Sequence, residues 1–472
     1  MAMIRNWIEF LSPTDVEQIH NTSIKLLGTV GVRFPADDAI SIFEGHGVKT
    51  DGHTVYLDEK QVMQALETAP AQFTIHARNP DKSVTVGGGE PVFAPGYGAP
   101  FVIDAEGGKR LATMRDYENL VQLADALPNQ DLSGHLLVGP GDVPAPTAHL
   151  RMLHAGMVHS DKPFIGSTEG AVGAHHTMAM AAILFGEQPE RPVTIGVVNS
   201  LSPLGYSDEM LQALMTYARA RQPLIIAAMV LAGSTGPVTL AGVLAQQNAE
   251  LLAGITLAQL ISPRTPVVYG ATSTNLDMKT GGLCIGSPEL ALIVTATAQM
   301  ARHYGLPYRG GGALTDAHSP DARAGFEAML SLLTTVNSGM DFVLHSAGIL
   351  SSYLAFSYEK FVLDDEMCGI MHRYRRGISV TPDTLAYDVI AQVGSGGNFL
   401  MEKHTLKRCR TEFWQPALFE RVDLAAWQTA GCPDVVGQAR QRWQRLLAEH
   451  QDPPLDETTT RQLQSFVDEH TR

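Results

Sequence analysis

Cysteine is scarce in this chain: its 472 residues hold 4, Cys284, Cys368, Cys409 and Cys432. None forms a CxxC pair, so no disulfide scaffold is encoded and reduced thiols in a cytoplasm are expected. No uninterrupted apolar run is long enough to cross a bilayer, and the opening MAMIRNWIEFLSP makes a poor signal peptide. A basic surplus is missing as well. With 34 Lys and Arg against 49 Asp and Glu, the formal net charge of −15 excludes a protein that binds nucleic acid by neutralising phosphates. No GxGxxG follows the first strand-like run, and no lysine follows the glycines 310–312, so neither a dinucleotide fingerprint nor a P-loop is present.

The composition that remains is 44% hydrophobic and 18% charged, which describes a globular chain with a large interior. At this length one large barrel with additions, or two domains, are the natural solutions. Residues 1–90 read as a cap: helical spacing in PTDVEQIHNTSIKLL and DEKQVMQALETAP, then short strands in FTIHARN and SVTVGG. From residue 91 a rhythm begins. Strand-like runs occur at 92–98, 132–138, 164–168, 193–200, 224–230, 266–273, 307–312 and 341–348. Longer segments of helical periodicity follow them, among them RDYENLVQLADAL, SDEMLQALMTYARAR and DARAGFEAMLSLLTTVNSG. The repeat of about 35 residues is the size of one strand-plus-helix unit. Eight units predict a (β/α)8 TIM barrel over 91–365, with 366–472 as a C-terminal helical extension; an open doubly wound sheet is the competing arrangement. The apolar helices leave a homo-oligomer open.

In such folds chemistry sits at the carboxyl ends of the strands. That rule selects Tyr97, Thr168, Glu169, Asn199, Ser200, residues 272–275, residues 310–316 and His345. The set is polar but poor in charge, with Glu169 and Asp316 as its main carboxylates. None of the strand runs contains a lysine for Schiff-base chemistry. His345, in LHSAG, is either a satisfied core histidine or a ligand contact. Gly311 and Gly312 either pack tightly or let backbone approach a ligand. Asp316 and His318 either cap a helix or act in the site. His175 and His176 are adjacent, hence point apart on a helix, and read as surface residues. Tyr353, Phe356 and Tyr358 suit helix packing; with Tyr97 they would also make an aromatic box for a quaternary ammonium group.

The stretches GGGALTDAHSPDARAGFEAML, CGIMHRYRRGISVTPDTLAYDVI and VGSGGNFLMEKHTLKRCRTEFWQPALFER resemble the trimethylamine methyltransferase (MttB-like) family. The resemblance implies a TIM barrel that moves a methyl group from a methylated amine to the cobalt of a corrinoid carried by a separate small protein. Founding members carry pyrrolysine and this chain has none, so it resembles the branch acting on quaternary amines such as glycine betaine. The enzyme itself would then hold no metal and no tightly bound cofactor. Glu169, Asp316 and His345 become the candidate catalytic groups, and Tyr97, Asn199, Gly311, Gly312, Tyr353 and Phe356 the candidate substrate contacts. By the same resemblance Gly394, Gly396, Gly397, Asn398 and Phe399 would face the corrinoid; the tail aromatics Phe413, Trp414 and Phe419 read as buried from their own residue type. Two rivals stand beside this reading: a metal-dependent lyase or aldolase on the same fold, and a betaine-binding protein without catalysis.

Overall fold

The computed structural model describes residues 7–104, 108–186 and 189–471; the first six residues of the expected cap lie outside them. Seven parallel strands form one sheet: β1 Val92–Phe93, β2 Phe164–Gly166, β3 Thr194–Asn199, β4 Leu224–Ala228, β5 Val267–Ala271, β6 Tyr308–Arg309 and β7 Phe342–Val343. Their order is β1-β7-β6-β5-β4-β3-β2. The sheet is curled, because a single segment touches both of its edges. Asp131 N–H donates to Phe93 O on β1 at 2.8 Å, and Ser133 N–H donates to Pro163 O, just before β2, at 3.0 Å.

Eight helices lie between and after the strands: α1 Met114–Ala126, α2 Ala145–His159, α3 Gly170–Phe185, α4 Asp208–Arg219, α5 Leu240–Ile261, α6 Pro288–His303, α7 Ala322–Asn337 and α8 Tyr358–Arg375. Local chemistry starts many of them. Thr113 and Asp116 close a capping box on α1, and Ser207, Ser287, Asp321 and Ser357 cap α4, α6, α7 and α8. Side chains alternate across the strands and so divide into two cores. Val92, Ile195, Val197, Ile225, Val268 and Phe342 pack together inside the curl. Phe93, Val198, Ile226, Tyr269 and Val343 pack outward against helices. Residues 13–86 form three α-helices, a short 3-10 turn at Pro80–Lys82 and two small antiparallel sheets, and the first helix, Pro13–Thr29, packs on α5.

Of the eight expected strand runs, 132–138 is not a strand. Gly134 (φ +83°) and Leu136 (φ +51°) turn the backbone out of extended conformation there. The ammonium of Lys162 ties down the chain that leads into it, donating to the carbonyls of Ala124 (2.7 Å), Leu127 (3.0 Å) and Gln130 (2.7 Å). The tail aromatics also need correction. Phe413 is 62% exposed, and Trp414 and Phe419 are half-buried. What docks this stretch is Glu366, whose carboxylate accepts the N–H groups of Ala417 (2.8 Å) and Leu418 (3.0 Å) beyond Phe413.

One buried ion pair ties α8 to two strand-end loops. Lys360 Nζ, on α8, lies 2.5 and 2.6 Å from the two oxygens of Asp364, and also donates to Ala313 O at 3.2 Å. Asp364 accepts Gly348 N–H at 2.8 Å. Both side chains are buried, at 2% and 0% exposure. Breaking one partner strands the other charge, so Asp364→Ala is expected to cost about 3–5 kcal/mol of stability. The double change Lys360→Met with Asp364→Leu should recover most of that. Urea unfolding of the three proteins checks it, and equal losses in single and double variants would contradict the pairing.

Candidate active site

Arg309 is the first residue to explain. Tyr308 points outward, fully buried, with its hydroxyl 2.5 Å from Ser338 Oγ. The next residue therefore points into the curl, level with Gly270 on β5 and Phe342 on β7. Arg309 is 3% exposed and makes no ion pair among the described residues, and its Nε is buried without a hydrogen-bond partner among them. Burial pulls its pKa down to about 10, and the groups whose charge it feels are Tyr353 and Tyr97.

Those tyrosines reach the site on two different loops. Tyr97 follows β1, is half-buried, and burial pushes its phenol up to about 12 with the Thr168 hydroxyl beside it. Tyr353 ends a turn in which Ser351, Ser352 and Tyr353 are all left-handed (φ +52°, +54° and +72°). That turn is held by its neighbours: Ser352 Oγ donates to Asp316 Oδ1 at 2.6 Å, and His318 Nδ1 is 2.9 Å from Ser351 Oγ. The Tyr353 hydroxyl is buried and has no hydrogen-bond partner among the described residues. His345 sits between the loops, its ring 4.8 Å from that of Tyr353. Its Nδ1 accepts Tyr97 N–H at 3.2 Å, which leaves the hydrogen of the neutral ring on Nε2. Burial, with Arg309 nearby, holds His345 well below the usual histidine pKa.

The opposite side carries acid and imidazole. Glu169 stands at the start of α3, after β2, without capping the helix. Burial opposes its charge, but His149 and then His135 outweigh it and keep the carboxyl below its usual range. His135 is 2% exposed, with no partner on Nδ1, and burial draws its pKa down to about 4.

The structure thus gathers Tyr97, Glu169, His345 and Tyr353 from the strand ends. Asn199, at the end of β3, follows the inward alternation of Ile195 and Val197 and is exposed there. The other expected residues stand behind these or apart from them. Asp316 is occupied as a loop tie, accepting Ile285 N–H (2.9 Å), Gly286 N–H (3.0 Å) and the Ser352 hydroxyl. A side chain on Gly312 would meet His345 O at 2.4 Å and one on Gly311 would meet Thr335 of α7, so both glycines serve close packing, Gly312 directly against His345. Phe356 is fully buried, edge-on to Phe361 at 5.2 Å and packed beneath Gly96 and Gly348. Tyr358 faces the helix layer, bonded to Asp116 and lying on Trp443. Gly394, Gly396, Gly397, Asn398 and Phe399 form an exposed loop whose hydrogen bonds are local. Sequence reasoning passed over Arg309, although a lone arginine inside the strand run PYRGGG was a visible signal. It also passed over His135 and His149, which sit on irregular chain and on a helix. Among the described residues no group of three or more His, Cys, Asp or Glu is arranged to hold a metal ion, and no helix is long and apolar enough to cross a membrane.

Comparison with known proteins gives this arrangement its family. The family model described as trimethylamine methyltransferase (MTTB) matches residues 2–472, and the chain belongs to that family. It is 46% identical to a glycine betaine methyltransferase of Desulfitobacterium hafniense (strain Y51), over 97% of this chain and 96% of the relative. It is 35% identical to a proline betaine:corrinoid methyltransferase of Eubacterium limosum, over 94% and 93% of the two chains. The crystal structure of the hydroxylamine complex of MtmB shares its fold, with TM-score 0.55 at 12% identity over 94% of this chain and 89% of that one.

His135 makes the site sensitive to acid in a stated direction. Its ordinary pKa of 6.5 falls to about 4 in the folded protein, so between those values the unfolded chain binds a proton that the folded one refuses. Stability therefore falls as pH drops from 6.5 towards 4, by about 3 kcal/mol from this group. His135→Asn should flatten that slope in denaturation curves taken at several pH values. An unchanged slope would place the acid sensitivity elsewhere.

Proposed function

We propose that this chain is a methyltransferase that takes a methyl group from a betaine and passes it to a corrinoid carried by a separate protein. The observation that carries the substrate class is Arg309, a buried cation with no acid of its own, beside an unpartnered Tyr353 hydroxyl. A buried charge without a partner is costly, and a ligand carboxylate would supply the missing one. Arg309, the Tyr353 hydroxyl and His345 Nε2–H together offer donors to a single carboxylate. The aromatic face of Tyr97 and the anionic Glu169 suit the ammonium end. A quaternary ammonium carboxylate fits both ends at once, in keeping with the relatives named for glycine betaine and proline betaine.

The chemistry then asks little acid–base work of the protein in the bond-breaking step. The C–N bonding pair stays on nitrogen and the amine leaves neutral, so no proton is needed to break the bond. This chain's residues bind and aim: Arg309 fixes one end, Tyr97 and Glu169 the other, and one methyl is turned towards the opening. The corrinoid, supplied by the partner, provides the nucleophile that accepts it. A closed eight-unit barrel is the architecture this reading favours, with residues 131–133 standing where the eighth strand would be and bonded to both sheet edges.

For the partner's seat, the tail is the best candidate face. Ile378, Tyr387, Leu400, Met401, Leu406 and Phe413 are each more than half exposed. Residues 370–432 carry 8 Lys and Arg against 6 Asp and Glu, while the whole chain stands at −15. An apolar, locally basic surface on an acidic protein marks an interaction site, and the exposed 394–399 loop lies within it.

Arg309→Met tests the reading. Loss of the charged hydrogen bonds, worth about 1.5–3 kcal/mol, should weaken glycine betaine binding roughly 10- to 150-fold. Tetramethylammonium, which has no carboxylate, should bind wild type and variant alike in calorimetry. Undiminished betaine binding by the variant would remove Arg309 from the substrate site.

A further inference from the structure

Behind Glu169 the pocket continues as a line of imidazoles. Glu169 Oε2 is 3.3 Å from His149 Nδ1, on α2, an approach that falls short of hydrogen-bond alignment. The other nitrogen of that ring, Nε2, is 2.8 Å from Nδ1 of His176, on α3, and the two rings stack at 5.2 Å. His176 meets His470 edge-on at 4.8 Å, and His470 lies exposed at the end of the helix Glu457–His470. His149 is 2% exposed, His176 is half-buried, and His175 beside it faces solvent. His135, also buried, lies near enough to Glu169 and His149 for each to shift its titration. These are the titratable groups that face the line: Glu169, His135, His149, His175, His176 and His470. The sequence reading of His176 as a surface residue held only for its neighbour.

Two features argue for transport rather than packing alone. His135 and His149 each bury an Nδ1 without a hydrogen bond, so the pocket end of the line holds spare proton sites that an inert core would not leave. Burial, then His149, His470 and His175, keep His176 below the usual histidine range, so a proton placed on it is readily passed on.

We propose that His176 and His149 carry a proton from solvent through Glu169 to the tertiary amine that methyl transfer leaves behind. This rests on the methyl-transfer reading above. When the N–CH3 bond breaks, the methyl joins the electron pair of the acceptor and the bonding pair stays on nitrogen. An aliphatic amine is a far stronger base than imidazole or carboxylate, so it takes up one proton. His149 Nδ1–H gives that proton through the Glu169 carboxylate, which ends the turnover ionised, as it began. His149 Nε2 recovers it from His176 Nδ1, and His176 Nε2 is refilled by water at the His470 end. The product leaves as an ammonium, and one solvent proton has been consumed per methyl moved.

The test follows proton and methyl separately. Enzyme, glycine betaine and reduced corrinoid protein are mixed in weak buffer with a pH indicator; the corrinoid spectrum reads methyl transfer and the dye reads proton uptake. In wild type the two rates should match. In a single turnover of His176→Phe, read before product release, the ratio of the proton-uptake rate to the methyl-transfer rate should fall about tenfold, with added imidazole restoring it, while the final count stays at one proton per methyl. His470→Ala, a surface change that decides the matter if His176→Phe does not fold, should shift the ratio the same way by less. An unchanged ratio in the folded variants overturns the proposal. In the ligand-free protein, 15N histidine NMR should find the His149 and His176 titrations moving together when Glu169→Gln is introduced; independent titrations overturn the path. If wild type moves no methyl from any betaine, the methyl-transfer reading fails, and the NMR result alone decides the histidine line.

Discussion

A guanidinium held inside a curled sheet without an acid is the constraint around which this molecule is arranged. Left alone, Arg309 would be expensive, since desolvating a charge costs several kcal/mol even after relaxation. The fold tolerates it by surrounding it with groups that soften the charge without cancelling it: Tyr97, Tyr353 and a histidine kept neutral. Each of those groups is fixed from behind. Asp316 and His318 hold the left-handed turn that presents Tyr353. Gly312 lets the chain pass directly against the backbone of His345. The Lys360–Asp364 pair binds Ala313 and Gly348, so the two loops flanking His345 are anchored to one helix. Stability is thus invested in holding an incomplete electrostatic site open.

The two sides of the site are chemically opposite. Arg309 and its donors gather on the side of β6 and β7, while Glu169 with its histidines gathers beside β2 and α2. A ligand that is itself a dipole, cationic at one end and anionic at the other, satisfies both ends together. Single-charge ligands leave one end unpaired, which is a source of discrimination by desolvation rather than by shape. The same polarity explains why the carboxylates of the chain are mostly elsewhere. Asp316 is consumed as a loop tie, and Asp131 and Asp341 accept backbone N–H groups of Phe93 and Tyr308.

Much of the architecture was legible in the chain because strand and helix periods alternate so regularly from residue 91. Tyr97, Glu169 and His345 were selected by a topological rule, that loops after parallel strands carry chemistry, and Tyr353 as a candidate for an aromatic box; the structure brings the four together. What failed has physical causes. The run LSGHLLV reads as a strand, yet left-handed Gly134 and Leu136 break it, and only backbone hydrogen bonds to the sheet edges reveal its place. Phe356 follows the last strand like Tyr353, but a shift in backbone direction sends one ring to the pocket and the other into the core. Arg309 was hidden because a strand was expected to be apolar, so its one charge went unread. The tail resisted for another reason: an exposed apolar surface has the composition of a core, and Phe413 reads as buried until its surroundings are known.

The most direct measurement is a methyl-transfer spectrum taken with matched substrates. Reduced corrinoid on its partner protein would be mixed with this enzyme and, in parallel, with glycine betaine, proline betaine, carnitine and tetramethylammonium. Conversion of the reduced corrinoid to its methylated spectrum with a carboxylate-bearing quaternary amine, and little or none with tetramethylammonium, is the predicted result. Equal transfer from tetramethylammonium, or none from any betaine, would contradict the account.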